Sequence, residues 1–232
     1  MTDFSARSER PELMDDPAVA PAELRVTLKE LALVNRFLGG YAASVHAVSS
    51  LWPAQCRELT LLDVGAGGGD TARRIADWAK NRGLKARIEG IDLAETCVQY
   101  SREQSRSYPD IRFSLKNIWD IPSEERYDIV HAALVLHHFP ASETARALRR
   151  MHELSRLGVV INDLHRHPLA YYSIKVLTAG LSGNRLIRND APLSVLRAFR
   201  RSCLEQLVRD AGLPAPEIRW RWPFRWQMII RK

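Results

Sequence analysis

Four of the seven histidines in this 232-residue chain stand in two close pairs, His137–His138 and His165–His167. Each pair follows a run that reads as a strand, "YDIVHAALVL" or "GVVIND". An imidazole titrates near neutrality, so a histidine just past a strand end is suited to take a proton from an attacking hydroxyl. The stretch "INDLHRH" also sets Asp163 close to His165, where a carboxylate on a turn could orient the ring. His165 is therefore the preferred candidate base, with Asp163 as its orienter and His137 as a second candidate. His131 and His152 fall inside a predicted strand and a predicted helix, and read as packing or surface residues.

A second concentration of chemistry lies in "LLDVGAGGGD", Leu61 to Asp70, where glycines are flanked by acids. Glycine has no Cβ, so the turn can be sharp and a ligand can come close to the backbone. A phosphate loop would need a lysine and a hydroxyl after its last glycine, but Asp70 follows Gly69. A dinucleotide fingerprint would use Gly65, Gly67 and position 70, which is again Asp70, and Asp63 stands where a pyrophosphate would approach. A cofactor with a cationic centre and an amino-acid tail removes both objections, because carboxylates then bind an ammonium group.

These residues need a scaffold, and the hydrophobic pattern supplies one. Predicted strands alternate with predicted helices from "ELTLLDVGAG" to "GVVIND", which means an α/β fold with a mainly parallel sheet. In such a sheet, ligands bind beyond the carboxyl ends of the strands. Residues 1–20 read as a loose N-terminal arm, and residues 21–54 as a helical cap opened by Pro21 and interrupted at Gly39–Gly40. Residues 55–232 form the main domain, with an apolar helical lid inserted at about 168–200 after the fifth strand. That lid carries Leu169, Tyr171, Tyr172, Ile174, Val176, Leu177, Leu181, Leu186 and Ile187. Two final strands, "APEIRWRW" and "FRWQMIIRK", are joined through Trp222–Pro223 and should run antiparallel, their tryptophans packed on the sheet.

With the elements placed, "DVGAGGG" resembles the D-x-G-x-G-x-G motif of the class I S-adenosylmethionine-dependent methyltransferases. Three further stretches carry the resemblance in order: "IEGIDL", "NIWDIP" and "YDIVHAALVLHHF". It implies a Rossmann-like, seven-stranded, mostly parallel sheet with the last strand antiparallel. It implies S-adenosyl-L-methionine as cofactor and S-adenosyl-L-homocysteine as product. By the same resemblance, Asp63, Gly65, Ala66 and Gly67 seat the amino-acid end, and Asp92 with Leu93 holds the ribose. Asn117 meets the adenine edge where the family usually has Asp, and Ile118 meets the adenine face. Ala132 and Ala133 border the methionine portion. Arg36 is read near the cofactor carboxylate if the N-terminal helix caps the site, and otherwise as a solvated or helix-end arginine. His138 matches a histidine found in family members irrespective of substrate.

Composition bounds the rest. Hydrophobic residues make up 46% and charged residues 26%, ordinary for a soluble domain. The net charge of +7 is spread along the chain apart from a basic C-terminal run, so nucleic acid is disfavoured as a partner. Three scattered cysteines suit a reducing compartment, and no run is apolar enough for a leader or a membrane span, so the expected location is cytoplasmic. No metal site is expected, and the chain is read as a monomer or homodimer. The apolar lid points to a small hydrophobic aromatic, quinol or polyketide-like hydroxyl as acceptor. The rivals are an RNA or protein methyltransferase and a non-catalytic cofactor-binding subunit. "LVLHHFP" lacks the Asn/Asp-Pro-Pro-aromatic motif of the common base-amino methyltransferases.

Overall fold

The computed structural model describes residues 2–232; Met1 of the expected arm and the side chain of Leu181 in the expected lid lie outside it. The sheet has seven strands: β1 (Glu58–Val64), β2 (Lys85–Asp92), β3 (Ile111–Leu115), β4 (Tyr127–Ala133), β5 (Ser155–Leu164), β6 (Glu217–Arg221) and β7 (Arg225–Arg231). Their order is β3-β2-β1-β4-β5-β7-β6. The first five run parallel, and β7 is antiparallel to both β5 and β6. This is the Rossmann-like methyltransferase fold.

Strand order reverses between β1 and β4, which opens a crevice at their carboxyl ends. Both central strands are covered on each face, so Leu59, Leu61, Leu62, Ile129 and Val130 are fully buried. α3 (Asp70–Asn81), α4 (Glu95–Gln104), α5 (Ala141–Leu154) and α8 (Arg201–Asp210) flank the sheet. α3 shows why: Ala72, Ile75 and Ala79 recur every three to four residues and form its buried stripe.

α1 (Pro21–Phe37) and α2 (Gly40–Leu51) form the N-terminal cap, with Pro21 at the first turn and Gly39 in the left-handed region at φ 67°. α6 (Pro168–Leu181) and α7 (Arg185–Arg197) are the two helices of the segment inserted after β5, where the lid is expected. The side chains of His167 and Asn184 cap these two helices by accepting from Leu169 N and Leu186 N.

Two expectations are corrected here. The arm is not loose: residues 2–20 are strapped across the lid. Arg7 donates to the carbonyls of Arg197, His137 and Phe139. The short helical turn Leu13–Asp15 presents free N–H groups, and Leu13 and Met14 donate to the Asp190 carboxylate of α7. The terminal tryptophans also divide: Trp226 is buried, but Trp220 and Trp222 are exposed, because only Ile218 of the edge strand β6 faces the core and Trp222 lies in the turn beyond it.

Candidate active site

The glycine turn runs from the end of β1 into α3. Gly65, Gly67 and Gly69 all have positive φ, at 64°, 53° and 72°. A Cβ on Gly65 would lie 2.4 Å from a methyl of Val135, whereas one on Gly67 would meet nothing closer than Leu28 of α1 at 3.9 Å. Gly67 therefore lines an open cradle roofed by α1. Asp92 ties the turn to the next strand: one carboxylate oxygen accepts from Gly67 N at 2.8 Å, the other from Ala94 N at 3.0 Å. Burial raises the Asp92 carboxyl above the usual carboxylate range, and these backbone N–H donors counter it.

Beneath the turn lies a polar chain that sequence reading missed. His131 Nδ1 stands 2.7 Å from Asp63 Oδ1, and its Nε2 stands 2.9 Å from Ser44 Oγ. Asn162 Nδ2 donates to Ser44 Oγ at 2.9 Å and to the carbonyl of Gly40 at 2.8 Å. One donor pattern accounts for these contacts, with Asn162 donating to Ser44, Ser44 to His131 and His131 to Asp63, and it leaves Asn162 Oδ1 without a partner among the described residues. Asp63 is fully enclosed, yet its Oδ2 has no partner among the described residues. A buried carboxylate oxygen left open beside a glycine cradle suits an ammonium donor, so the residues present fit the amino-acid end of the expected cofactor. The available signal was the strand register, since parallel β1 and β4 set Asp63 directly opposite His131.

The other predicted cofactor residues distribute unevenly. Leu93 is exposed beside Asp92, Ala133 is half-buried at the end of β4, and Ala132 is fully buried. Ile118 is buried in the main core with Ile91 and Ile121, so its side chain packs inward. Asn117 caps the turn Ile118–Asp120, its Oδ1 accepting from Trp119 N at 3.2 Å, which leaves its amide nitrogen as the free group. Arg36 is exposed on α1 and makes no hydrogen bond or ion pair among the described residues; its neighbour Asn35 instead binds Arg225.

On the acceptor side the structure reassigns the histidines. Asp163 does not orient His165. It meets His137, with Nδ1 2.6 Å from Oδ1, and His137 Nε2 faces Glu12 Oε1 of the arm at 3.5 Å. Burial disfavours the imidazolium, but the Asp163 and Glu12 charges outweigh it and lift the His137 pKa to about 9. His137 is thus a protonated, enclosed clasp at neutral pH. His138 pairs with Asp15 at 2.9 Å. His165 is half-buried against Trp226 and His167, at ring centroids of 4.7 and 5.2 Å. Burial, then the nearby His167, Arg200 and Arg166, push its pKa down to about 4, so its imidazole is neutral. Between these histidines Leu134 sits at φ 57°, a conformation that costs a non-glycine residue roughly 1–3 kcal/mol and is characteristic of functional sites. Its N–H donates to Asn162 O, which holds the end of β4 against β5.

Residues 61–158 match the family model described as "Methyltransferase domain". Residues 61–158 thus form a methyltransferase domain, in line with the resemblance. It is 31% identical over 99 residues to a mitochondrial ubiquinone biosynthesis O-methyltransferase of Candida albicans, a match covering 40% of this chain and 29% of that protein. It is 33% identical over 85 residues to the non-reducing polyketide synthase ausA of Aspergillus calidoustus, covering 35% of this chain and 4% of that one. The chain thus spans less than a third of either relative. The plantazolicin methyltransferase BpumL in complex with SAH superposes with a TM-score of 0.66 at 14% identity, over 89% of each chain. No described helix is long and apolar enough to cross a membrane.

Proposed function

We propose that this methyltransferase transfers the methyl group to a hydroxyl on a small hydrophobic acceptor of aromatic, quinol or polyketide-like type. The observation that carries the reading is the aromatic cluster just past the end of β5, where neutral His165 stands among the rings of His167, Phe224 and Trp226 at the start of α6. Flat apolar acceptors stack against such walls, and a water-poor site favours a neutral base. When bound, the cofactor supplies an electrophilic methyl on a sulfonium centre. Asp63 Oδ2 would receive its ammonium, and Asp92 would accept from its ribose hydroxyls. His165 would take the proton that the acceptor hydroxyl sheds as its oxygen gains the methyl and the methyl–sulfur bond breaks, leaving the thioether. The names of the two relatives, an O-methyltransferase and a polyketide synthase, lean the same way. A screen of phenols, quinols and polyketide-like hydroxyls against bulk RNA with labelled S-adenosylmethionine tests the reading. Label in the small molecules alone supports it; label in RNA with untouched phenols overturns it.

A further inference from the structure

The acceptor side of the molecule ends in an apolar rim built from three elements. α1 contributes Leu33 and Phe37, four residues apart on one face, and Phe37 is 77% exposed. α6 contributes Leu169, Tyr172 and Val176, spaced three and four, and Val176 is 74% exposed. The β6–β7 hairpin contributes Trp222, 75% exposed.

These elements meet end to end. Ser182, at the end of α6, donates to Glu30 in the middle of α1 at 2.5 Å. His167, at the start of α6, stacks on Phe224 of the hairpin at 5.4 Å. The Trp222 carbonyl lies 3.0 Å from where a Gly39 Cβ would stand, at the end of α1. The result is a closed triangle over the carboxyl end of β5 and the amino end of β7. Large apolar side chains clustered this way on a soluble protein mark an interaction site.

Charge indicates the partner. No acidic residue occurs in Leu31–Arg57, Leu164–Asn189 or Ile218–Lys232, the segments that build most of the triangle. Arg36 and Lys175 are exposed on them, as is Arg219, which pairs with Glu217 just outside. The acids that α1 adds, Glu23 and Glu30, are taken up by Arg185 and Ser182. A second copy docked about a two-fold axis would set these cations against themselves. An anionic lipid surface matches both halves of the pattern: apolar and Trp side chains enter the interface, while Arg and Lys meet the headgroups.

We propose that the rim of α1, α6 and the β6–β7 hairpin docks on the surface of an anionic bilayer, so that an apolar acceptor passes from the lipid into the crevice without crossing water. The passage of acceptor rests on the hydrophobic-acceptor reading above; the docking is testable without it. The test is co-sedimentation of the full chain, with no acceptor present, on vesicles of phosphatidylcholine alone and of phosphatidylcholine mixed with phosphatidylglycerol. Binding to the mixed vesicles that weakens with salt is expected. Reversing Arg36 and Lys175 to Glu should weaken it at least about tenfold. Phe37→Ser with Trp222→Ser should abolish it while leaving the thermal midpoint unchanged, as expected for exposed positions. Absence of vesicle binding, or equal binding to both vesicle types, overturns the proposal. So does concentration-dependent dimerisation that the same Ser variants remove, or tight binding to an acidic carrier protein with none to vesicles. If vesicles bind but phenols and quinols are never methylated, the acceptor reading fails and the docking surface stands.

Discussion

Asp163 of β5 holds His137, twenty-six residues away in sequence, and not His165, two residues along the chain just past the end of the strand. Residues two apart on a strand are separated by about 6.5 Å along it, whereas the next strand lies only about 4.8 Å away. β4 runs beside β5, and the turn Leu136–His138 that follows it brings His137 over the Asp163 carboxylate. The pair is fully enclosed, and Leu164 N also donates to Asp163. Removing one partner of such a pair strands the other, at roughly 3–5 kcal/mol. Asp163→Ala should therefore lower the thermal midpoint by roughly 6–20 °C, and Asp163→Asn, which keeps an acceptor, by less. An unchanged midpoint in calorimetry would show that the pair does not hold the fold.

The same clasp makes attachment of the arm depend on pH. The folded-state pKa of His137, about 9, lies above its ordinary 6.5, so its contribution is complete below 6.5 and is lost as pH rises through 9. Burial works against the Glu12 charge, but His137 outweighs it and holds the carboxyl at about 2, below its ordinary 4.5. That contribution is complete above 4.5 and is lost as pH falls toward 2. His138 and Arg197 also face Glu12, at 3.8 and 3.7 Å, and both favour its ionised form. The arm should be held most firmly between pH 4.5 and 6.5 and loosen toward pH 9 and above. Tryptic cleavage after Arg7 or Arg10, corrected for protease activity, should rise steeply between pH 7 and 9.5, roughly the upper half of that titration. Glu12→Gln should be cleaved rapidly already at neutral pH. Cleavage that is flat with pH in both proteins would rule the clasp out.

What could be read from the sequence was whatever short-range pattern encodes. Alternating strands and helices gave the sheet, Pro21 and Gly39 bounded the cap, and the run of glycines after Asp63 marked the cradle. Pairings between distant segments were not legible. Nothing local in "SERPELMDD" announces that Glu12 will be buried against His137. His131 read as packing because its partners Asp63 and Ser44 come from another strand and from the cap. Asn117 and Ile118 were legible as a segment, but their side-chain directions follow from a turn that the motif does not specify. Trp222 read as sheet packing because alternation is blind to whether a strand lies at an edge.

Two glycines of the cradle should fail for different reasons. Gly65→Ala places a Cβ 2.4 Å from Val135 at φ 64°, so the backbone must move and the fold should lose stability by roughly 2–3 kcal/mol. Gly67→Ala has room, with Leu28 at 3.9 Å, and should cost only about 1 kcal/mol from its left-handed conformation. Its methyl would fill the cradle, however, and S-adenosylmethionine affinity should fall at least about tenfold, whereas a loss confined to stability would place the cofactor elsewhere. Thermal melting and calorimetry with the cofactor separate the two effects.

Asp92 and Arg36 give a matched contrast. Asp92→Ala removes the acceptor of two backbone N–H groups and the proposed ribose partner, so cofactor affinity should fall by about 10–100-fold. Arg36→Ala touches an exposed, unpartnered side chain and should leave affinity unchanged. Equal losses in both variants would mean that α1 closes on the cofactor carboxylate through Arg36 after all.

His165 provides the catalytic test. Because burial and nearby cationic groups hold its pKa at about 4, the imidazole stays in its proton-accepting form across the neutral range. If it receives the acceptor proton, the acidic limb of kcat on a proven phenolic acceptor should lie near pH 4, well below the ordinary histidine value of 6.5. His165→Ala should reduce kcat by roughly 10²–10⁴-fold and remove that limb, with KM for S-adenosylmethionine unchanged. The residue packs against Trp226, whose Nε1 donates to Phe199 O at 3.0 Å, so some loss could come from a shifted wall. His165→Phe keeps that packing without a basic nitrogen, and should restore the thermal midpoint but not the rate. Recovery of kcat by His165→Phe would assign His165 to the wall of the crevice and leave the proton to solvent.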